Sequence, residues 1–173
     1  MITSAPTEDA ERMQKRKRNR LPDYDYRQPG AYFITVCVKN HKCILGTVVG
    51  ADDHIGPKVQ LTQIGKTVDQ YIKQIPGIGQ HVVMPNHVHM ILHISATDPR
   101  EGPMWSSAPT VASVPSLVRT WKTLITKALG ESIWQRGYYD HIIRSEQEYV
   151  EIAEYIIGNP GKWAADKYFS VGG

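Results

Sequence analysis

Two histidines separated by a single valine, His87-Val88-His89, are the side chains of this sequence best suited to binding a metal ion. In a β-strand, side chains two residues apart project from the same face, with their Cα atoms about 6.5 Å apart. Two imidazoles so placed can bind one divalent cation, while a third ligand and open positions come from elsewhere. The alternative is that both are half-buried polar residues with local hydrogen-bond partners. His93 shares their face but lies about 13 Å from His89, so we interpret it as structural.

A second candidate group lies near the C-terminus, where Tyr155 and Asn159 are four residues apart in a segment with helical periodicity. Residues four apart on a helix lie one above the other, and these two fall at the edge of the apolar face. A tyrosine hydroxyl could act there as a nucleophile while the asparagine oxygen binds a cation. Alternatively, Tyr155 is a boundary aromatic residue and Asn159 is a C-terminal cap before Pro160. Packing requires neither placement.

These side chains must be positioned by a fold in which strands and helices alternate. Runs of β-branched and aromatic residues predict strands at 32–38, 44–49, 80–84, 87–94 and 138–144, with the first two forming a hairpin. Apolar residues at helical spacing predict helices over 61–75, 117–129 and 145–159. Ser145 and Glu148 predict a capping box at the start of the last helix. This order of elements predicts an α+β fold, with an antiparallel sheet and the helices on one face.

The length of 173 residues suits one compact domain, which we place at residues 21–173. The net charge of +3 arises in the first twenty residues, which hold six basic and three acidic side chains, while the remainder holds 14 of each. We predict a flexible basic arm over residues 1–20 and a mobile loop over residues 95–114. No apolar run approaches the roughly 20 residues that span a bilayer. Together with two cysteines that suit a reducing compartment, this predicts a cytoplasmic protein without a membrane segment.

Basic and aromatic side chains supply the candidates for contacts with nucleic acid. The basic arm can contact several phosphates, and the predicted second helix has basic residues beside its apolar stripe. The segment before the last helix mixes aromatic and basic side chains, which suits the stacking of unpaired bases. A solubilising tail and a solvated helix face are the alternatives. The candidate DNA-binding residues are Lys15, Arg16, Lys17, Arg18, Arg119, Lys122, Arg136, Tyr138 and Arg144.

Four motifs, in the right order, resemble those of the HUH single-tyrosine transposases, and in particular the REP-associated tyrosine transposases. HUH denotes histidine, hydrophobic residue, histidine. Gly161 departs from the pattern, since valine is usual after the Asn-Pro pair. The matching segments, which lie within residues 27–163, are Gly30-Ala31-Tyr32-Phe33-Ile34-Thr35-Val36, Pro85-Asn86 before His87-Val88-His89, Trp134-Gln135-Arg136, and Glu154-Tyr155-Ile156-Ile157-Gly158-Asn159-Pro160.

The resemblance implies a ferredoxin-like or RRM-like sheet, with both histidines on a central strand and the tyrosine helix beside them. It implies that His87, His89 and Asn159 bind Mg²⁺ or Mn²⁺ and that Tyr155 is the nucleophile. The implied substrate is single-stranded DNA near a palindromic hairpin, specifically a repetitive extragenic palindrome (REP). Cleavage would give a 5′-phosphotyrosine and a free 3′-hydroxyl.

Two other functions fit parts of the sequence. A non-catalytic module with an RRM-like sheet would bind single-stranded nucleic acid through the basic arm and the aromatic residues. A metal hydrolase would use the histidines while Tyr155 is incidental. For a transposase, a homodimer is plausible because one tyrosine forms one covalent link at a time.

Overall fold

The computed structural model describes residues 24–50, 56–95 and 113–169. Short 3-10 helices cover Lys39–His41 and Asn159–Ala165. The predicted basic arm and most of the predicted loop at 95–114 lie outside the described residues. The strands are β1 (Gly30–Cys37), β2 (Gly46–Val49), β3 (Lys58–Leu61), β4 (Ile78–Val83), β5 (His87–Ile94) and β6 (Tyr139–Ile143), and the α-helices are α1 (Gln63–Ile72), α2 (Val114–Leu129) and α3 (Glu146–Gly158).

Four strands form an antiparallel sheet in the order β4-β5-β1-β6. The two central strands, β5 and β1, are paired along their full lengths, so that Thr35 lies opposite His89 and Cys37 lies opposite His87. Residues that pair across two strands project to the same side of a sheet. Both histidines therefore lie on a central strand and share one face with Thr35 and Cys37.

One face of this sheet is covered by α1 and α2 and forms the main core. Trp121 of α2 is fully buried there, with its ring centroid 4.8 Å from that of Trp134. Burial of each large apolar side chain contributes about 1.5–3 kcal/mol. Every second residue of β1 and β5 points into this core, as the predicted alternation requires. These sheet residues are Tyr32, Ile34, Val36, Val88, Met90, Leu92 and, at the end of β5, Ile94.

The opposite face, which carries the histidines, is covered by α3. The apolar contact is smaller than the main core: buried Ile156 packs against Ile91 of β5 and Ile143 of β6, and half-buried side chains of α3 and the sheet surround them. The α+β class and the antiparallel sheet are confirmed, and α1 and α2 share a face as expected. The position of α3 differs from the expectation that all helices lie together. Its apolar stripe is narrow, since Ile156 is its one buried residue, and a narrow stripe suits a face that also contains polar side chains.

The predicted hairpin between the first two strands is wrong. β2 pairs with β3 in a separate two-stranded sheet, where Val48 lies opposite Val59. The cause is the 3-10 turn after β1, in which Asn40 and His41 adopt left-handed backbone conformations with φ of 55° and 52°. This turn directs the chain away from the edge of β1, where β6 pairs instead.

α3 begins at the predicted position. The Ser145 hydroxyl accepts a hydrogen bond of 3.1 Å from the backbone N–H of Glu148. Glu148 does not complete the predicted capping box, because its carboxylate accepts from the backbone N–H of Arg144 at 2.7 Å and contacts His141 Nε2 at 2.6 Å. These contacts tie the start of α3 to the end of β6, and they fix the helix that carries Tyr155 against the sheet.

Candidate metal and tyrosine site

The two histidines of β5 meet beneath α3. The side chains of His87 and His89 are 0% and 1% exposed, and their Nε2 atoms lie 3.0 Å apart. Strand β5 supplies this geometry, because residues two apart on one strand project side by side from the same face. Two imidazole nitrogens therefore converge on one point, as the His-x-His spacing predicts.

Both imidazoles are neutral at physiological pH. Burial lowers the pKa of His87 to about 4; the negative charge of Asp166 opposes this effect, while His41 and Lys167 add to it. Burial also lowers the pKa of His89 well below its ordinary value, and the neighbouring His87 adds to this effect. A neutral imidazole has a lone pair available, which is the form that binds metal ions.

Each histidine has a polar neighbour at its other ring nitrogen. Asn86 Oδ1 lies 2.9 Å from His87 Nδ1, and Thr35 Oγ1 lies 2.8 Å from His89 Nδ1. Both neighbours are buried. Outer partners of this kind orient metal-binding histidines and select their tautomers.

Tyr155 reaches the same place from α3. Its hydroxyl lies 3.4 Å from His89 Nε2, and its ring packs edge-on against Phe33 with centroids 6.1 Å apart. Burial raises the pKa of Tyr155 above its ordinary value near 10, and the negative charge of Asp166 raises it further. The hydroxyl therefore carries its proton at neutral pH, beside the histidine pair.

Asn159, one turn beyond Tyr155, is fully buried at the end of α3. Its Nδ2 donates to Asp166 Oδ2 at 3.3 Å. Its Oδ1 has no hydrogen-bond partner within the described ranges, although buried acceptors are usually satisfied. An unsatisfied carboxamide oxygen in this position can serve as a ligand for a cation.

Asp166 is a candidate ligand that the sequence analysis missed. It follows the 3-10 helix Asn159–Ala165, which turns the chain back over the histidines. One ligand atom each from His87, His89 and Asp166 lies within 4.8 Å of the other two. Helical periodicity could not have identified Asp166, because Pro160 ends the periodicity that relates Tyr155 to the residues after it. An acidic residue soon after the Asn-Pro pair was the available signal.

The residues present fit a divalent metal ion. Two imidazole nitrogens and a carboxylate oxygen form the mixed nitrogen and oxygen set that such ions accept. Asn159 lies beside this group through its contact with Asp166, and its unsatisfied Oδ1 could add a fourth ligand atom. The nucleophile candidate, Tyr155, lies within the same cluster, so a bound ion and the tyrosine hydroxyl could contact one substrate group.

Aromatic side chains from the C-terminal segment cover the histidines. The Tyr168 ring centroid lies 4.7 Å from that of His87, and the Trp163 ring lies 6.0 Å from it. His93, the third histidine of β5, contacts the Tyr149 hydroxyl at 3.3 Å and stays apart from this cluster. That agrees with its interpretation as structural.

The candidate DNA-binding residues fall in several places. Arg119 and Arg136 are exposed and line one groove of about 750 Å³ between α2 and the segment 132–137. Lys39 and Lys127 line the same groove, and no acidic side chain does so within the described residues. The structure thus brings three predicted residues together, since Lys122 lines the same groove, and adds two basic residues that the sequence analysis did not select. Lys15, Arg16, Lys17 and Arg18 lie outside the described residues.

Lys122 also lines this groove and is half-buried. Its ammonium donates to the carbonyl oxygens of Gln135 and Gly137 at 2.7 and 2.9 Å. Burial lowers its pKa to about 8. Its first role is therefore to hold the segment 132–137 against α2.

The last two candidates lie at opposite ends of β6. Tyr138 is half-buried and packs against the main core, whereas the next residue, Tyr139, is 42% exposed. Arg144 is exposed at the far end of the strand, about 16 Å along the chain from Tyr139. The structure therefore does not bring Arg144 together with Arg136.

The fold and the sequence of this chain are similar to those of known proteins. No protein-family model matches the chain. Among solved structures, a REP-associated tyrosine transposase bound to a REP hairpin aligns with a TM-score of 0.54 and 24% identity, over 80% of this chain and 71% of that one. An uncharacterized protein of Haemophilus influenzae is 34% identical in an alignment of 180 positions, which covers 89% of this chain and 93% of that protein.

The chain thus has the fold of a REP-associated tyrosine transposase and carries an HUH-like His-x-His motif at His87 and His89. It belongs to the same family as the Haemophilus influenzae protein. Across the described residues, no helix is both long and apolar enough to cross a membrane.

Proposed function

We propose that this protein is a metal-dependent transposase or endonuclease that nicks and rejoins single-stranded DNA near palindromic hairpins. The observation that carries the proposal is the 3.4 Å approach of the Tyr155 hydroxyl to His89 Nε2, which joins a nucleophile to candidate metal ligands. The transposase of the same fold was solved with a REP hairpin bound, and we extend that class of substrate to this chain. Action on DNA in the cytoplasm is part of the proposal.

In the proposed reaction, the Tyr155 oxygen attacks the scissile phosphorus. A bond forms between Tyr155 and the 5′-phosphate while the bond to the 3′-oxygen breaks. The phenol proton passes in net terms to the departing oxygen, so the products are a 5′-phosphotyrosine and a 3′-hydroxyl. Because the phosphodiester is exchanged and not hydrolysed, the reverse attack by a 3′-hydroxyl rejoins DNA without ATP.

The chain's own residues define what this reaction requires. Ionising a tyrosine with a pKa near 10 at pH 7 costs about 4 kcal/mol, and the surroundings of Tyr155 raise that pKa. We propose that His87, His89, Asp166 and Asn159 hold Mg²⁺ or Mn²⁺, which would stabilise the charge that develops on the oxygen atoms around phosphorus. The narrow apolar contact of α3 keeps Tyr155 pointed at this position.

The groove lined by Lys39, Arg119, Lys127 and Arg136 is the proposed track for the DNA backbone. Four exposed cations, with no carboxylate among the described residues that line the groove, favour phosphate, and each contact adds salt dependence to binding. The groove lies at the end of the sheet where the site lies, since Lys39 follows β1 and Cys37 pairs with His87.

The other predicted DNA contacts retain separate roles in the proposal. The basic arm, Lys15 to Arg18, would add phosphate contacts, and Arg144 would contact DNA at a separate place. Lys122 would hold the segment 132–137 that lines the groove, and Tyr138 would contact DNA through its half-buried ring. A homodimer would supply the second tyrosine that movement of a DNA segment needs.

The test is a covalent capture experiment. The protein is incubated with Mn²⁺ and a single-stranded oligonucleotide that contains a REP-type hairpin, and denaturing gels separate any protein–DNA adduct. We expect an adduct with the wild type and with Tyr149→Phe, a matched variant on the same helix outside the site. No adduct is expected with Tyr155→Phe. An absent wild-type adduct, or an undiminished one in Tyr155→Phe, would overturn the proposal.

The same experiment separates the other functions. A non-catalytic binding module would bind DNA equally well after chelation and after His87→Ala and His89→Ala. A metal hydrolase would cleave with Tyr155→Phe and release both DNA ends, including a free 5′-phosphate.

A further inference from the structure

Asn86, the residue before the first histidine, is fully buried, and its side-chain amide contacts His41, Tyr168 and His87. Its Nδ2 group donates to the carbonyl oxygens of His41 at 3.0 Å and of Tyr168 at 2.8 Å. Its Oδ1 lies 2.9 Å from His87 Nδ1. Two segments distant in sequence thus meet at the amide of Asn86.

These contacts fix which way the amide points. A carboxamide has two N–H donors on one side and an oxygen acceptor on the other. Reversing the Asn86 amide would place its oxygen against the carbonyl oxygens of His41 and Tyr168, which cannot donate a hydrogen bond. Oδ1 therefore faces His87, and because Oδ1 can only accept, His87 Nδ1 must donate. His87 then carries its proton on Nδ1 and a lone pair on Nε2.

The carbonyl of His41 belongs to a strained turn that its contacts hold in place. Asn40 and His41 both adopt left-handed conformations, which non-glycine residues keep only where their surroundings require it. The ring of His41 stacks on Tyr168 at 5.8 Å, and Gln135 Nε2 donates to His41 Nε2 at 3.0 Å. The turn after β1 is thus braced so that its carbonyl points at Asn86.

His89 is held differently. Its Nδ1 contacts the hydroxyl of Thr35, and a hydroxyl can either donate or accept. Without a cation, a consistent chain of hydrogen bonds exists: Thr35 donates to His89 Nδ1, and His89 Nε2–H donates to His87 Nε2, 3.0 Å away. With a cation present, both Nε2 atoms must present lone pairs, so His89 has to move its proton to Nδ1 and donate to Thr35.

We propose that Asn86 is a positioning residue that presets His87 as the Nδ1–H tautomer, whereas Thr35 allows His89 to change tautomer when a divalent cation binds. One ligand is ready before binding and the other adapts. This inference rests on the proposed metal site and does not depend on strand transfer.

The first test reads the tautomers directly. Long-range ¹H–¹⁵N NMR spectra of the full chain, labelled with ¹⁵N-histidine, distinguish the two neutral forms of each ring. In the metal-free protein we expect His87 as Nδ1–H and His89 as Nε2–H, and with Mg²⁺ we expect both as Nδ1–H. His87 as Nε2–H in the metal-free protein, or His89 unchanged in the Mg²⁺ complex, would overturn the proposal.

The second test separates positioning from a purely structural role. Asn86→Ala should weaken Mn²⁺ binding, measured by EPR of the free ion, by about 10- to 100-fold. The NMR spectra of metal-free Asn86→Ala should also lose the preset Nδ1–H form of His87, a change that lost packing alone would not produce. Val83→Ala, a buried change on the other face of the sheet, controls for lost stability. Equal Mn²⁺ affinity in Asn86→Ala and Val83→Ala would overturn the proposal.

Failure of the proposed function gives a different result. If the wild type forms no covalent adduct with DNA, strand transfer is contradicted, while the metal-free tautomers and the Mn²⁺ affinities still decide the role of Asn86.

Discussion

The two faces of the central sheet have opposite character although the same two strands form both. Towards α1 and α2, β1 and β5 present aliphatic and aromatic side chains that fill the main core around Trp121. Towards α3, the same strands present His87, His89 and Thr35, and the apolar contact is confined to a few residues around Ile156.

This difference shows how one small domain can contain both a stabilising core and a candidate reactive site. The alternation of a strand allows every second residue to be chosen for packing and the others for a site. The α1 and α2 face therefore supplies most of the stability, while the α3 face buries polar atoms that contribute little unless they are paired. Changes on the two faces should consequently affect different measurements.

The largest effect on activity should come from the histidine face. His87→Ala combined with His89→Ala should reduce adduct formation by about a thousandfold, because the proposed cation could no longer bind. Removing two fully buried rings also leaves a cavity and unpaired polar atoms at Asn86 and Thr35, so some loss of stability is expected as well. Circular dichroism melting measures the folded fraction, and adduct formation is compared at equal amounts of folded protein. An undiminished adduct in the folded variant would contradict the role of this face.

The largest effect on stability should come from the other face. Ile125 is fully buried on α2. Its change to alanine should lower the free energy of unfolding by about 2–5 kcal/mol, because a cavity remains. Adduct formation by the folded molecules should be unchanged. Ile157→Ala on α3 is the matched control, because Ile157 is 63% exposed and should change stability by less than about 0.5 kcal/mol. Chemical denaturation measures both values, and equal effects would contradict the comparison.

An intermediate effect should follow removal of the carboxylate that the sequence analysis missed. Asp166→Asn should weaken Mn²⁺ binding at least about tenfold, since a charged ligand becomes a neutral one. Glu151→Gln on the exposed side of α3 removes the same charge away from the site and should leave Mn²⁺ binding unchanged. Isothermal titration with Mn²⁺ provides the comparison, and unchanged affinity in Asp166→Asn would remove Asp166 from the site.

The smallest effect concerns the start of α3. The backbone N–H of Arg144, together with His141, holds the pKa of Glu148 below its ordinary value near 4.5. A lowered folded-state pKa means that Glu148 contributes stability above that range and loses it as pH falls through the folded pKa. As the pH is lowered from 7 to 3, the melting temperature should therefore fall less steeply for Glu148→Gln than for the wild type. Parallel curves for the two proteins would contradict this contribution.

Local patterns were sufficient for much of the fold. The strand at 87–94 and the helix start at Ser145 have the predicted positions, because alternation and capping are properties of neighbouring residues. The partner of β2 could not be predicted in this way, since it depends on the left-handed turn at Asn40 and His41. The placement of α3 depends on which face is left open after α1 and α2 have packed.

For the candidate site too, patterns within one element could be predicted, whereas contacts between elements could not. The His-x-His spacing and the Tyr155–Asn159 spacing each lie within one element, so the sequence predicts which residues share a face. Asp166 lies beyond Pro160, where helical periodicity ends, and only the fold returns it to the histidines. Lys122 lies off the apolar stripe, as predicted, but the carbonyls that it binds belong to a segment whose path no helical pattern contains.

The most direct test of the central proposal is to identify the amino acid that becomes linked to DNA. After reaction with Mn²⁺ and a hairpin oligonucleotide, the adduct is digested with protease and nuclease and the modified peptide is sequenced by mass spectrometry. The proposal predicts a 5′-phosphonucleotide on Tyr155. Attachment at another residue, or a free 5′-phosphate without a protein link, would contradict it.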